Sequence, residues 1–138
     1  MTVDYNNRQE IDRLYTHDYL FEGFSYDYYE RQISLSCTNS YLKKTLNFEF
    51  CNVIYYKMQS CLFWALGYNI YDMYTAELPE EFLKQIDEIK NTKPDWYKMS
   101  EVGKGTKYIA VEMVVNSGDA LLIVCEKIDI SECEYNGD

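Results

Sequence analysis

Two short stretches with a period of two constrain this chain more than any other feature. In Ile33-Ser34-Leu35-Ser36-Cys37, and again in Leu46-Asn47-Phe48-Glu49-Phe50, apolar and polar residues alternate. Successive side chains of a strand point to opposite faces, so each stretch predicts a strand with one face buried and one face wet. Between them, Thr38-Asn39-Ser40 and Lys43-Lys44 supply a polar connection. The pair therefore predicts an antiparallel hairpin whose apolar face needs a cover. The second strand is expected to continue through Val53, Ile54, Tyr55 and Tyr56.

The other segments are read against that hairpin. Ile11, Leu14 and Tyr15 at helical spacing predict a short amphipathic helix over 7–15, with Asn6 or Asn7 as its cap. From Tyr19 to Tyr28 the residues turn aromatic and strand-prone, with Gly23 as a bulge or bend. Residues 60–76 are apolar without a clean period and are read as strand with a turn at Gly67–Asn69. A longer helix starts near Pro79, with Glu80 and Glu81 at its positive end, and Pro94 closes the segment. Its apolar stripe is Phe82, Leu83, Ile86 and Ile89. Residues 107–115 and 120–128 form a second hairpin around Asn116-Ser117-Gly118-Asp119. Both of its arms are apolar on nearly every residue, as in strands buried on two faces or facing a partner.

These elements predict one α+β domain spanning 1–138, a mainly antiparallel sheet of about five to seven strands with one or two helices packed on it. The ends, 1–6 and 131–138, are expected to be flexible. The expected core is Ile33, Leu35, Leu46, Phe48, Phe50, Val53, Phe63, Ile86, Ile109, Val111, Leu122 and Val124.

Composition narrows function more by exclusion than by assignment. The chain carries 23 acidic and 13 basic residues, a net charge of −10. The excess is uneven, since residues 70–138 hold fifteen acids and seven bases, whereas residues 1–69 hold eight and six. The first half instead carries ten of the fifteen tyrosines. An acidic surface repels phosphate, which disfavours nucleic acid and favours a basic protein partner. With one histidine, His17, and five cysteines lacking a CxxC pair, neither a metal site nor a disulfide framework is expected. No glycine-rich phosphate motif is complete, so no cofactor is expected either. The N-terminus lacks a signal pattern and the longest apolar run, Ala120–Cys125, is too short for a bilayer, so the expected address is the cytoplasm.

Four local features bear on chemistry. His17-Asp18 places an imidazole beside a carboxylate, but neighbours on an extended chain face apart and need a turn to meet; the pair reads first as ending the helix and starting the strand through local hydrogen bonds. Cys61-Leu62-Phe63-Trp64 sets a thiol beside a ring, and reads first as core. Gly103-Lys104-Gly105-Thr106 lacks Walker spacing and precedes a strand, so it reads as a flexible turn. The tyrosines fit either an aromatic sheet or an interface, where Tyr and Trp give large contact area at small entropic cost. The candidate contact residues are Trp64, Tyr68, Tyr71, Asp72 and Asp119, with Tyr26 and Asp27 next. A non-catalytic binding module is the leading expectation. The alternatives are a small-molecule cup of Tyr26, Trp64, Tyr68 and Tyr71, or a small hydrolase using Cys61 or paired acids.

A set of landmarks also resembles a group of small bacterial proteins, some described as immunity or antitoxin proteins. They are His17-Asp18, Tyr26-Asp27, Leu46-x-Phe48 with Val53, Gln59-x-Cys61-x-Phe63-Trp64 with Gly67 and Asn69-Ile70, and Ser117-Gly118-Asp119. They extend over about residues 11–128, and Ala65 departs from the glycine expected after the tryptophan. The resemblance implies an α+β domain that neutralises another protein, and it carries no catalytic residues with it.

Overall fold

The computed structural model describes residues 1–59 and 69–135. In chain order the strands are β1 (Thr2–Val3), β2 (Leu20–Asp27), β3 (Gln32–Asn39), β4 (Lys44–Cys51) and β5 (Tyr55–Gln59). They continue with β6 (Ile70–Ala76), helix α1 (Glu80–Thr92), β7 (Ile109–Val115), β8 (Ala120–Cys125) and β9 (Lys127–Glu134). The α+β class holds, with every strand pairing antiparallel. One sheet has the order β1-β9-β4-β3-β2 and the other β5-β8-β7-β6.

The nine strands among the described residues exceed the five to seven expected, and two corners explain part of the excess. The long strand expected from Leu46 to Tyr56 breaks at Asn52, whose φ of 53° turns the chain into the second sheet. Glu126 makes the matching break between β8 and β9. The corners are tied together, because the Glu126 amide donates to the Cys51 carbonyl and Asn52 Nδ2 donates to Glu126 Oε2 at 2.9 Å. The paired ribbons thus pass jointly from one sheet to the other. At the opposite edge Leu20 bridges Asn69.

The alternating residues meet between the sheets as intended. Ile33, Leu35, Cys37, Leu46, Phe48 and Phe50 face Ile109, Val111, Met113, Leu121 and Ile123 in one buried cluster. The doubly apolar hairpin is explained by α1, which covers the outer side of the second sheet. Phe82 packs with Tyr108, Ala110 and Val124 there, while Ile54, Leu122 and Ile86 are partly buried around them. Leu122 and Ile86 therefore belong to this smaller outer cluster and not to the central core. Of the helix stripe, Phe82 is buried at 3% exposure, but Leu83 stays 43% exposed. Phe63, the remaining expected core residue, lies outside the described residues.

Several local expectations change. The N-terminal helix is a 3-10 helix over Tyr5–Glu10, capped by Asp4, whose side chain accepts from the Asn6 amide. Ile11 is still fully buried, while Tyr15 turns outward. Toward the ends, Val3 is wholly buried in β1, and β9 pairs with β4 as far as Glu134 opposite Lys44. Pro79 occupies the position before the first turn of α1, and Lys93, with φ of 42°, ends the helix ahead of Pro94. The Gly103–Thr106 turn is held by Glu101, which accepts from Thr106 Oγ1 at 3.0 Å and from Lys104 Nζ at 3.3 Å. The Thr106 hydrogen bond, with help from Lys104, lowers the Glu101 pKa. No described helix is long and apolar enough to cross a membrane.

Candidate functional site

A groove of about 800 Å³ opens where the β3–β4 turn meets the starts of β2 and β6. Its near wall is set by the turn. Asn39 is buried, and its Oδ1 accepts the Leu42 amide at 2.9 Å, which curls residues 40–42 outward. Lys43 completes the turn in the left-handed region at φ 54°. This geometry leaves Tyr41 92% exposed. The far wall comes from residues 15–20. Thr16 is buried and its carbonyl accepts the Tyr19 amide, so the chain turns at His17-Asp18, with Asp18 at φ 69°. The Asp18 amide donates to Ile70, and the Ile70 amide donates to Tyr19. These bonds stitch the turn to β6 and leave Tyr15 60% exposed at the groove.

The turn also brings His17 and Asp18 together. His17 Nδ1 lies 3.1 Å from Asp18 Oδ2, and both side chains are about half exposed. The His17 ring centre is 6.1 Å from that of Tyr71. Tyr71 sits where the β6 register shifts between Ile70 and Asp72, so Ile70 is fully buried and Tyr71 is 59% exposed. Among the described residues Asp18 is the only charged one lining the groove; Tyr135 lines it from the other side. The adjoining depression carries Lys43, Lys44, Glu132 and Glu134, whose charges cancel, with Lys44 and Glu132 paired at 3.0 Å. One carboxylate among exposed phenol rings suits a lysine or arginine side chain, which gains both an ion pair and ring-face attraction.

The structure divides the sequence-derived contact set. Trp64, Tyr68 and Cys61 lie outside the described residues. Tyr71, Asp72 and Asp119 lie toward one end of the second sheet, where Asp72 pairs with Val114 and Val114 with Ala120. Asp72 Oδ1 accepts the Met73 amide, and the Asp119 carbonyl accepts the Val115 amide. Tyr26 and Asp27 stand apart. Seven residues of strand separate Asp27 from Leu20 at the groove, roughly 20 Å at the usual strand rise. Tyr26 is half buried and meets Tyr56 at a tilt, ring centres 4.9 Å apart, which makes it part of the core margin. Asp27 Oδ1 accepts the Tyr29 and Glu30 amides, so it builds a turn. Tyr26 and Tyr71 therefore do not share the expected aromatic cup.

Tyr41, Tyr15 and Tyr135 were not among the sequence candidates. For Tyr41 a signal existed, because an aromatic placed directly after Asn39-Ser40 in a turn has no core to face. Tyr15 and Tyr135 gave none, since their exposure depends on contacts far along the chain.

The described thiols do not extend the chemistry. Burial pushes Cys37 up to about 12 and raises Cys125 further, which holds both protonated in the core. Cys51 is raised by burial, with Asp129 adding to the effect. Among the described residues no three His, Cys, Asp or Glu side chains gather as metal ligands. No family model and no curated protein matches this chain.

Proposed function

We propose that this protein is a non-catalytic acidic binding module of the immunity or antitoxin type, acting in the cytoplasm on a basic surface of another protein. The observation that carries the reading is the groove in which exposed Tyr15 and Tyr41 flank Asp18, on a chain of net charge −10. Long-range charge steers a basic partner toward the surface, and tyrosines then supply desolvated contact area. Tyr71 and Asp72 extend the contact along the adjoining edge, and Asp119 adds acidity at the same end of the second sheet.

The test compares the native chain with Asp18→Lys and Tyr41→Ala in capture from source lysate at low and high salt. A basic protein retained at low salt, with association slowed several-fold by Asp18→Lys and dissociation hastened by Tyr41→Ala, supports the reading. Failure to retain any basic protein, or kinetics unchanged in both variants, refutes it. Charge reversal at Asp72 and Asp119 gives the same comparison beyond the groove.

A further inference from the structure

We infer that a second groove, between α1 and residues 102–108, binds an amphipathic monoanion: a small molecule with one apolar chain or ring and one anionic head. Its volume is about 360 Å³, within the range of small-molecule sites. Phe82, Leu83 and Ile86 of α1 form one wall, with Val102 and Tyr108 opposite. Leu83 belongs to the apolar stripe of the helix but stays 43% exposed.

The charge of the lining sets the class of ligand. In a chain of net charge −10, the two charged residues lining this groove among the described residues, Lys90 and Lys107, are both cations. Tyr5, at the same groove, adds to this local reversal. Lys107 Nζ lies 5.0 Å from the centre of its ring, and the Arg8 guanidinium carbon lies 4.2 Å from it. No described carboxylate pairs with Arg8, Lys90 or Lys107, although Lys44, Lys84, Lys104 and Arg13 all find acidic partners. Tyr108 lines the groove and is 8% exposed. Its hydroxyl is buried without a hydrogen-bond partner among the described residues. The charges felt at that hydroxyl are those of Glu101, Glu126 and Arg31, so the two lysines alone select the head group. A cationic head would instead meet like charge, and a neutral one would leave the lysines unanswered.

The probes are decanoate, decan-1-ol and decyltrimethylammonium, each below its micellar threshold, measured by titration calorimetry with amide chemical shifts locating the ligand. Decanoate is expected to bind once per chain, shifting residues 82–86 and 105–108, at least tenfold more tightly than the cation and more tightly than the alcohol. The double variant Lys90→Glu/Lys107→Glu alters two exposed side chains, so its urea midpoint should stay near that of the native protein while decanoate affinity drops at least tenfold. The inference is overturned by absence of saturable decanoate binding, equal affinity for the three head groups, shifts centred elsewhere, or unchanged affinity in the double variant. Binding to anionic phospholipid vesicles without binding of free decanoate also overturns it, because the surface would then read a membrane and not a single molecule.

Discussion

Replacing Phe82 by alanine tests how α1 is held. Phe82 is the one buried residue of the helix, at 3% exposure. Its ring meets Tyr108 edge-on at 5.8 Å and Tyr55 at 6.2 Å. A buried Phe→Ala change costs about 3–5 kcal/mol, of which aromatic pairing contributes about 0.5–1.5 kcal/mol per pair. Alanine's better helix propensity returns only about 0.5 kcal/mol. A net loss of about 3 kcal/mol is therefore expected, near 10 °C in melting midpoint for a domain of this size. Leu83→Ala is the control, since that side chain is 43% exposed. Its expected cost is below about 1 kcal/mol, typical of surface positions. Urea unfolding followed by tryptophan fluorescence and far-ultraviolet circular dichroism measures both. Coincident transitions with an unchanged m-value mean that helix and sandwich unfold together, whereas a lowered m-value means that α1 separates first. A loss below 1 kcal/mol for Phe82→Ala, or a larger loss for Leu83→Ala, would refute the assigned helix face.

Three further outcomes follow from local physics. Donation to Glu112 at 2.6 Å, with burial, pushes Tyr74 up to about 12. A raised folded-state value means this contribution is whole below about pH 10, the unfolded value, and is lost as pH rises toward 12. Tyr74→Phe should remove that alkaline loss and one late phenolate from the absorbance titration; an unchanged titration refutes the assignment. Gly103 leaves no room for a side chain, because a Cβ there would lie 1.8 Å from the Tyr97 carbonyl oxygen. Gly103→Ala should destabilise the protein by about 1–3 kcal/mol, and an unaltered urea midpoint would contradict the packing of this loop. Native thiol labelling at pH 8 should reach exposed Cys133 well before buried Cys37 and Cys125, with site-resolved mass spectrometry as the readout. Equal rates at the three positions would refute the burial pattern.

The sequence made the strands legible where alternation was strict. Ile33–Cys37 and Leu46–Phe50 pair in register, with Leu35 opposite Phe48, because a period of two admits only one buried face. The corners were less legible. Val53, Ile54, Tyr55 and Tyr56 look like more strand, and only the left-handed conformation of Asn52 reveals the passage between sheets. Asparagine tolerates that region, but it does so in many turns, so its presence alone gives no topology. The first strand is hidden in the sequence for a related reason. Thr2-Val3 is too short to announce a strand, and its burial depends on β9, more than 120 residues along the chain.

The same dependence on distant contacts governs the candidate site. Asp72 and Tyr71 were visible as acid and aromatic, yet the groove is framed by Tyr41, Tyr15 and Asp18, which meet because β2 begins against β6. Its chemistry resides in turns, and turns position side chains through their backbone bonds to remote strands. Asn39 illustrates the point: its buried amide oxygen fixes the Leu42 amide, and that bond decides where Tyr41 projects. Asn39→Ala should therefore weaken partner binding while Tyr15, Asp18 and Tyr41 are all retained. It also forfeits one partly buried hydrogen bond, worth about 1 kcal/mol of stability. If Asn39→Ala lowers stability by that amount but leaves partner affinity intact, the orientation of Tyr41 does not set recognition. If affinity falls several-fold, and Tyr41→Ala adds little further loss in the double variant, the two residues act as one unit.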